Sequence, residues 1–223
     1  MNKFKGFTLA EVLITLGIIG VVAAITIPSL IKSYQKHVTI TKLQKAISVL
    51  SQAYKLSYDD NGDTTAQEIY NMGPEEYFKT YWQPYIKTAT ICTDYKQCGY
   101  TSVAPWVTAS GKKSNTAAIW SPERTTFYTD DGILYVIFTS SGATGGTKPD
   151  DSIYVDINGG GRPNRYGRDV FLLERGSGGV QPKGLKYLDS TINNNCSKTG
   201  SGDYCAEKIK RAGWKIDNSY PWK

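Results

Sequence analysis

Histidine is almost absent from this chain of 223 residues, which contains only His37. A Ser-His-Asp site needs an imidazole beside its nucleophile, and this histidine lies within the pattern of a long helix. The four cysteines lack the Cys-x-x-Cys spacing of a zinc site. The glycines at 159–161 have neither the Gly-x-Gly-x-x-Gly spacing nor the Gly-Lys-Ser/Thr ending of a nucleotide loop. We therefore predict that the protein is not an enzyme.

Charge is missing from the 20 residues between Val12 and Ile31. At about 1.5 Å of helical rise per residue, this segment spans roughly 30 Å, the thickness of the hydrocarbon layer of a bilayer. Lys3 and Lys5 precede it, and lysines in front of an apolar segment favour a cytoplasmic N-terminus. The sequence therefore predicts one membrane-spanning helix, with the rest of the chain outside the cytoplasm.

The order of features at the N-terminus differs from that of a secretory signal, whose small-residue cleavage site follows the apolar segment. Here Gly6 precedes it, so a cut after Gly6 removes only a basic hexapeptide and leaves the membrane helix in place. Glu11 is a carboxylate at the start of the apolar stretch, and such a group costs about 2.5–3.5 kcal/mol at a membrane centre without a partner. The cut also creates an amine on Phe7, about one helical turn away. That amine, from the same or a neighbouring subunit, can supply the missing charge.

The run Gly6-Phe7-Thr8-Leu9-Ala10-Glu11-Val12 resembles the cleavage motif of type IV prepilins and of the pseudopilins of type II secretion. The resemblance covers about the first 30 residues. It implies that prepilin peptidase in the inner membrane cuts between Gly6 and Phe7 and N-methylates Phe7, and that Glu11 serves assembly. It also implies a filament with other pilins, built by an assembly ATPase and a platform protein, and a stretch from Gly20 to Pro28 that melts on assembly. A signal anchor that is never cut is the alternative.

These features divide the chain into a leader (1–6), a transmembrane and assembly helix (7–31) and one globular domain (32–223). The formal charge of +6 falls to +4 without the two leader lysines, a surplus typical of a solvated surface. It gives weak support to an alternative function, a DNA-uptake pilin that binds nucleic acid.

The domain has the pattern of an α+β fold in which the second half of the long helix packs on a small antiparallel sheet. An apolar stripe at intervals of three and four residues continues the helix, which should end near 59–63, and a further short helix is expected within 66–81. The stripe is Ile40, Leu43, Ile47, Leu50 and Tyr54. Strand patterns occur at 126–129, 133–138, 152–157 and 170–173. A Gly/Ser-rich loop is expected at 140–149 and a flexible segment at 175–184. A last helix is expected at 203–212, and Asp203 can cap it.

Four cysteines in an exported domain indicate two disulfides. Pairing Cys92 with Cys98 and Cys196 with Cys205 closes loops of five and eight residues, and we favour this sequential arrangement over the other two pairings.

The segment 156–171 is rich in oxygen-bearing side chains and glycine. Asp156 and Asn158 alternate at a strand end, and the glycines allow Asn164 or Asp169 to fold back toward them. Calcium takes six to eight oxygen ligands of this kind. The segment is also similar to loops of pilin-like and pseudopilin-like proteins, and the resemblance implies calcium because major pseudopilins hold it in a loop of their sheet domain. Calcium at these four residues is one hypothesis, and a long turn leading into the last strand is the other.

Overall fold

The computed structural model describes residues 6–64, 66–114, 119, 121, 123–139, 152–176 and 178–222. The chain divides into two compact units, Met1–Val38 and Thr39–Lys223. Most of the expected leader and the Gly/Ser-rich loop expected at 140–149 lie outside the described residues.

The first unit consists of the beginning of helix α1 (Leu9–Asn61), preceded by a short non-helical segment. None of its described residues is buried. An 18-residue window of α1 reaches a mean hydropathy of 2.4, and by length and composition this helix can cross a membrane. A helix that is apolar on every side is suited to lipid or to other helices of the same kind.

The second unit begins within the same helix, and here α1 buries a single stripe. Its buried side chains are Thr39, Leu43, Ala46, Leu50, Ala53 and Ser57. The stripe is rotated from the expected one, because Ile40, Ile47 and Tyr54 lie at its margin, only partly buried. Two small residues, Ala46 and Ala53, are fully buried in it beside Leu43 and Leu50. The helix ends at Asn61, and Gly62 follows with a φ of 76°, so the predicted end is confirmed.

Two short helices, α2 (Ala66–Met72) and α3 (Pro74–Tyr81), occupy the segment in which one was expected. Gly73 separates them with a φ of 80°, and Pro74 begins the second helix, where its missing N–H is not needed. A 3₁₀ turn at Gln83–Tyr85 leads from α3 toward the sheet.

Within the described ranges, six antiparallel strands form one sheet in chain order. They are β1 (Thr90–Ile91), β2 (Arg124–Tyr128), β3 (Leu134–Phe138), β4 (Ile153–Asp156), β5 (Val170–Gly176) and β6 (Gly179–Pro182). The four predicted strands are β2 to β5, and the α+β fold with a long helix on an antiparallel meander is confirmed. The expectation of a flexible segment at 175–184 was wrong, because β5 continues to Gly176 and β6 pairs with it.

Both faces of the sheet are buried. Alternate residues such as Tyr135 and Ile137 face α1, while Leu134 and Val136 face the other way. The second face is covered by the loop between β1 and β2, which contributes Tyr100 and the fully buried Trp106. The sheet therefore separates a helix-side core from a loop-side core.

The chain closes with α4 (Asp189–Asn195) and α5 (Cys205–Arg211). The second helix was expected from Asp203, but it begins two residues later and Asp203 does not cap it. The Asp203 carboxylate instead accepts hydrogen bonds from Ser201 (2.5 Å) and Asn195 (3.4 Å). Arg211 joins the two helices by ion pairs to Asp189 (2.6 Å) and to the buried Glu207 (2.8 Å).

Candidate membrane anchor and processing site

The expected cleavage site lies outside the helix. Gly6 and Phe7 precede the first helical residue, Leu9, and the Phe7 side chain is 88% exposed. Both residues therefore lie outside the helix, and cleavage between them stays a prediction.

Thr8 and Glu11 form a capping box at the start of α1. The Glu11 carboxylate accepts hydrogen bonds from the Thr8 backbone N–H and from its hydroxyl, both at 2.8 Å, and the Glu11 N–H donates to the Thr8 hydroxyl at 3.3 Å. This reciprocal arrangement satisfies groups that a helix start otherwise leaves unpaired. The capping role of Thr8 was not predicted, although the Thr-x-x-Glu spacing before an apolar run is the sequence signal for it. Glu11 therefore has a local role besides the intersubunit role expected of it.

The hydroxyl groups within the apolar stretch are satisfied inside the helix. Thr15 donates to the carbonyl of Val12 (2.9 Å), Thr26 to that of Val22 (2.9 Å) and Ser29 to that of Thr26 (2.9 Å). Self-satisfied hydroxyls are compatible with a hydrocarbon environment, where an unpaired polar group is costly. The helix is continuous through Gly20 and Pro28, so the expected melting of this stretch on assembly remains a prediction.

In the second unit, the last residue of β4 places a buried carboxylate against the loop-side core. Asp156 is fully buried, and its Oδ2 accepts hydrogen bonds from the Tyr100 hydroxyl (2.6 Å) and the Trp106 indole N–H (2.9 Å). Its Oδ1 accepts from the Asn158 N–H at 3.3 Å. Asp156 therefore ties the loop between β1 and β2 to the sheet.

Asp169 is the second buried acid, and it holds the loop 156–171 closed. Its two carboxylate oxygens accept the backbone N–H groups of Asn164 (2.8 Å) and Arg165 (2.6 Å). Burial, together with the nearby Asp169 carboxylate, raises the pKa of Asp156 well above its usual range. Burial also raises the pKa of Asp169, against the effect of its backbone donors.

The four residues expected to bind calcium thus lie in one loop, with Asp156, Asn158 and Asp169 interacting directly. With its amide nitrogen turned toward them, Asn164 donates to Gly161 (2.9 Å) and to Asp156 (3.2 Å). Calcium would need oxygens that now accept hydrogen bonds from protein donors. Among the described residues, no three Asp, Glu, His or Cys side chains form a metal-binding group. Calcium binding here stays a prediction.

The structure contains both disulfides of the sequential pairing. Cys92–Cys98 closes the start of the loop that covers the second sheet face. Cys196–Cys205 joins the end of α4 to the start of α5 in the helix-side core. Each bond therefore fastens a segment with little regular structure to one of the two cores.

An apolar helix that can cross a membrane, preceded by an exposed segment and continued into a disulfide-bonded α+β domain, gives the chain a pilin-like architecture. Residues 1–27 match the family model described as the Prokaryotic N-terminal methylation motif. The chain thus carries the N-terminal motif of type IV prepilins and pseudopilins, which indicates a substrate of prepilin peptidase and anchoring in the inner membrane.

A second family model, described as a Family of unknown function (DUF6613), matches residues 29–107, from the end of the anchor into the loop-side core. No curated protein and no solved structure matches the chain. The motif and the fold point to a structural subunit.

Proposed function

We propose that this protein is a subunit of a type IV pilus or of a type II secretion pseudopilus, stored in the inner membrane and assembled into a helical filament. The observation that carries the proposal is the arrangement at the start of α1. An exposed Gly6-Phe7 pair stands before a helix that is apolar on every side and has one acid, Glu11, in its first turn. Removal of the leader would leave an amine next to that acid.

The mechanism depends on charge neutralisation in an apolar environment. The amine of Phe7 on one subunit pairs with the Glu11 carboxylate of its neighbour, which sets the axial register while the apolar helices pack side by side. A pair of this kind is strong where water is excluded, since the same charges interact weakly in bulk water. An assembly ATPase acting through a platform protein draws the subunits out of the bilayer, and the segment from Gly20 to Pro28 extends as they leave it.

Glutamine at position 11 separates the two roles of Glu11. A Glu11→Gln side chain can still cap the helix with Thr8, since capping boxes accept Gln as well as Glu, but it carries no charge. We expect Glu11→Gln to be inserted and processed normally and to lose fibre formation, and we expect the same loss from Glu11→Ala. Thr8→Val, which keeps the charge and removes the hydroxyl, should form fibres with reduced yield.

The readouts are intact mass, which reports loss of residues 1–6 and methylation of Phe7, and electron microscopy of fibres. Fibres at normal yield from Glu11→Gln would refute the charge-pairing mechanism. A mature protein that still begins with Met1 would refute the assignment itself and favour the uncut signal anchor.

A further inference from the structure

The second unit carries a basic surface on the loop between β4 and β5. We define the arginine loop as Arg162, Arg165 and Arg168. Arg162 is exposed and Arg165 is partly exposed, and neither forms an ion pair with any residue in the described part of the chain. The Arg165 guanidinium lies against Gly111, in the turn that also carries the exposed Lys112 and Lys113. Partial burial lowers the pKa of Arg168; the nearby Asp169 carboxylate opposes this effect, and the like charge of Arg165 adds to it.

The Asp169 carboxylate, in the same loop, attracts the Arg168 guanidinium. Asp169 is 3% exposed, and its oxygens accept backbone N–H groups of the loop itself. The guanidinium groups of Arg162 and Arg165 thus have no ion-pair partner in the described part of the domain and are available to a second molecule.

A group of exposed acids lies where α1 ends. We define the acidic end as Asp59, Asp60 and Asp63. The last turn of the helix contains no basic residue, so these acids face the negative pole of the helix dipole, an unfavourable position for an acid. Asp60 accepts a hydrogen bond from Tyr85 (2.9 Å), and Asp63 lies 3.6 Å from Arg175. Asp59 has no side-chain partner among the described residues.

The arginine loop and the acidic end lie at opposite ends of the helix within this unit. The carbonyl of Arg168 accepts a hydrogen bond from Thr39, the first residue of the unit, at 3.5 Å. Asp60 comes 21 residues later, which corresponds to about 32 Å along a helix. The unit therefore carries positive charge at the end where the chain enters it and negative charge at the far end.

We propose that the arginine loop of one copy docks against the acidic end of a second copy, head to tail. The proposal rests on the filament function proposed above and names a contact between its exported domains. An antiparallel pair would also match the charges, but copies anchored by the same N-terminal helix in one membrane all point the same way. A head-to-tail contact between parallel copies joins two different surfaces, and such heterologous contacts propagate into open helical assemblies.

Charge reversal tests the contact in the full chain. R162E/R165E and D59K/D60K should each reduce fibre yield at least tenfold, because each places like charges across the interface. The chain that carries all four substitutions should recover fibres. Co-expression of the two reversed chains should also recover them, since each supplies the surface that complements the other. K186E/K215E, with the same charge change elsewhere on the surface, is the control and should form fibres normally.

Each contrary outcome of the charge-reversal experiment leads to a different conclusion. Normal fibre yield from R162E/R165E overturns the proposal. Fibre loss that neither the four-substitution chain nor co-expression repairs also overturns it. If R162E/R165E then binds DNA or anionic lipid vesicles less than the wild type, the loop serves a polyanion instead. The neutral variant R162Q/R165Q replaces R162E/R165E if its thermal unfolding shows a folding defect, and should lower fibre yield less strongly.

A second readout does not depend on fibres. In cells that contain the assembly machinery, a zero-length carboxyl-to-amine crosslinker applied to the R162K/R165K variant should join a peptide containing residue 162 or 165 to one containing Asp59 or Asp60 of another copy. A processed protein that crosslinks in this way without forming fibres would refute the filament function and keep the contact. Fibres without the crosslink would keep the filament function and refute the contact.

Discussion

Helix α1 meets two different environments along its length. From Leu9 to Val38 none of its side chains is buried, and large apolar groups such as Leu16 (59% exposed) point in all directions. From Thr39 to Asn61 one stripe is fully buried, and charged residues occupy the opposite side. The backbone is the same in both parts. The side chains differ: those of the first part suit lipid or other apolar helices, and those of the second part suit contact with the domain on one side and water on the other.

The comparison shows where the stability of each part comes from. In the second part, burial against the sheet removes apolar surface from water, at roughly 25 cal/mol per Å². The first part has no such contact among the described residues, so its helicity relies on a membrane or on other copies. A substitution in the second part should therefore change unfolding of the domain, and one in the first should change insertion or assembly.

The largest expected effect is that of Leu50→Ala, which removes a fully buried side chain from the helix-side core. We expect a loss of about 2–5 kcal/mol in the unfolding free energy of the domain, measured by urea titration of the full chain in detergent. Leu16→Ala is the matched control in the anchor, and it should change this free energy by less than about 0.5 kcal/mol. Equal effects of the two substitutions would contradict the division of α1 into two parts.

The same division explains what sequence alone could predict. The anchor depends on composition and length, which need no knowledge of contacts, and the whole stretch from Val12 to Ile31 could be recognised directly. The buried stripe was predicted slightly rotated, since large residues such as Ile47 marked its expected centre. The helix instead buries Ala46 and Ala53 completely, and the side of the helix that faces the domain depends on tertiary contacts that the periodicity does not specify.

Features that depend on long-range contacts could not be predicted from the sequence. Strand β6 is short and contains Gly179 and Pro182, so its pattern is that of a loop, and only pairing with β5 makes it a strand. The loop-side core joins Trp106 to Asp156 across 50 positions of sequence, and no local periodicity encodes that contact. Thr8, by contrast, was missed although its spacing from Glu11 is a local signal.

The disulfides should affect the domain and leave the anchor unchanged. Replacing both Cys196 and Cys205 by serine removes the link between α4 and α5, and the entropy of closing so short a loop corresponds to about 2–3 kcal/mol. Thermal unfolding should report this loss, and a similar loss is expected for the pair Cys92 and Cys98. Insertion and intact mass at the N-terminus should not change. Loss of membrane insertion in either variant would show that the two units depend on each other.

The buried acids predict a pH dependence that belongs to the domain alone. The folded pKa values of Asp156 and Asp169 are raised, so their contribution to stability is complete below about pH 4 and is lost as the pH rises through the folded values. A tenfold difference in the proton affinity of a carboxyl group between the folded and unfolded states corresponds to about 1.4 kcal/mol. The Tm of the full chain should therefore fall between mildly acidic and neutral pH, and Asp156→Asn should flatten that fall.

The same measurement of Tm, repeated with added calcium, tests the calcium hypothesis. If the four loop residues bind it, added calcium raises the Tm at neutral pH, a chelator reverses the rise, and Asp156→Asn abolishes it. An unchanged Tm would sink the calcium hypothesis and leave the pH dependence standing. A wild-type Tm that rises from mildly acidic to neutral pH in chelator would contradict the assignment of raised pKa values.

The smallest expected effect is at the point where α1 protects the sheet edge. The Ser51 hydroxyl donates to the carbonyl of Val180 at 2.8 Å and accepts its N–H at 3.1 Å, so it satisfies both groups that an edge strand leaves open. Ser51→Ala should cost about 1 kcal/mol, since each such bond contributes roughly 0.5–1.5 kcal/mol and water can partly replace it. Ser48→Ala, one turn earlier on an exposed position, should cost less. Hydrogen exchange at Val180 should accelerate in Ser51→Ala alone, because only that substitution frees its N–H. Exchange that is equally slow in both variants would mean that the helix does not seal this edge.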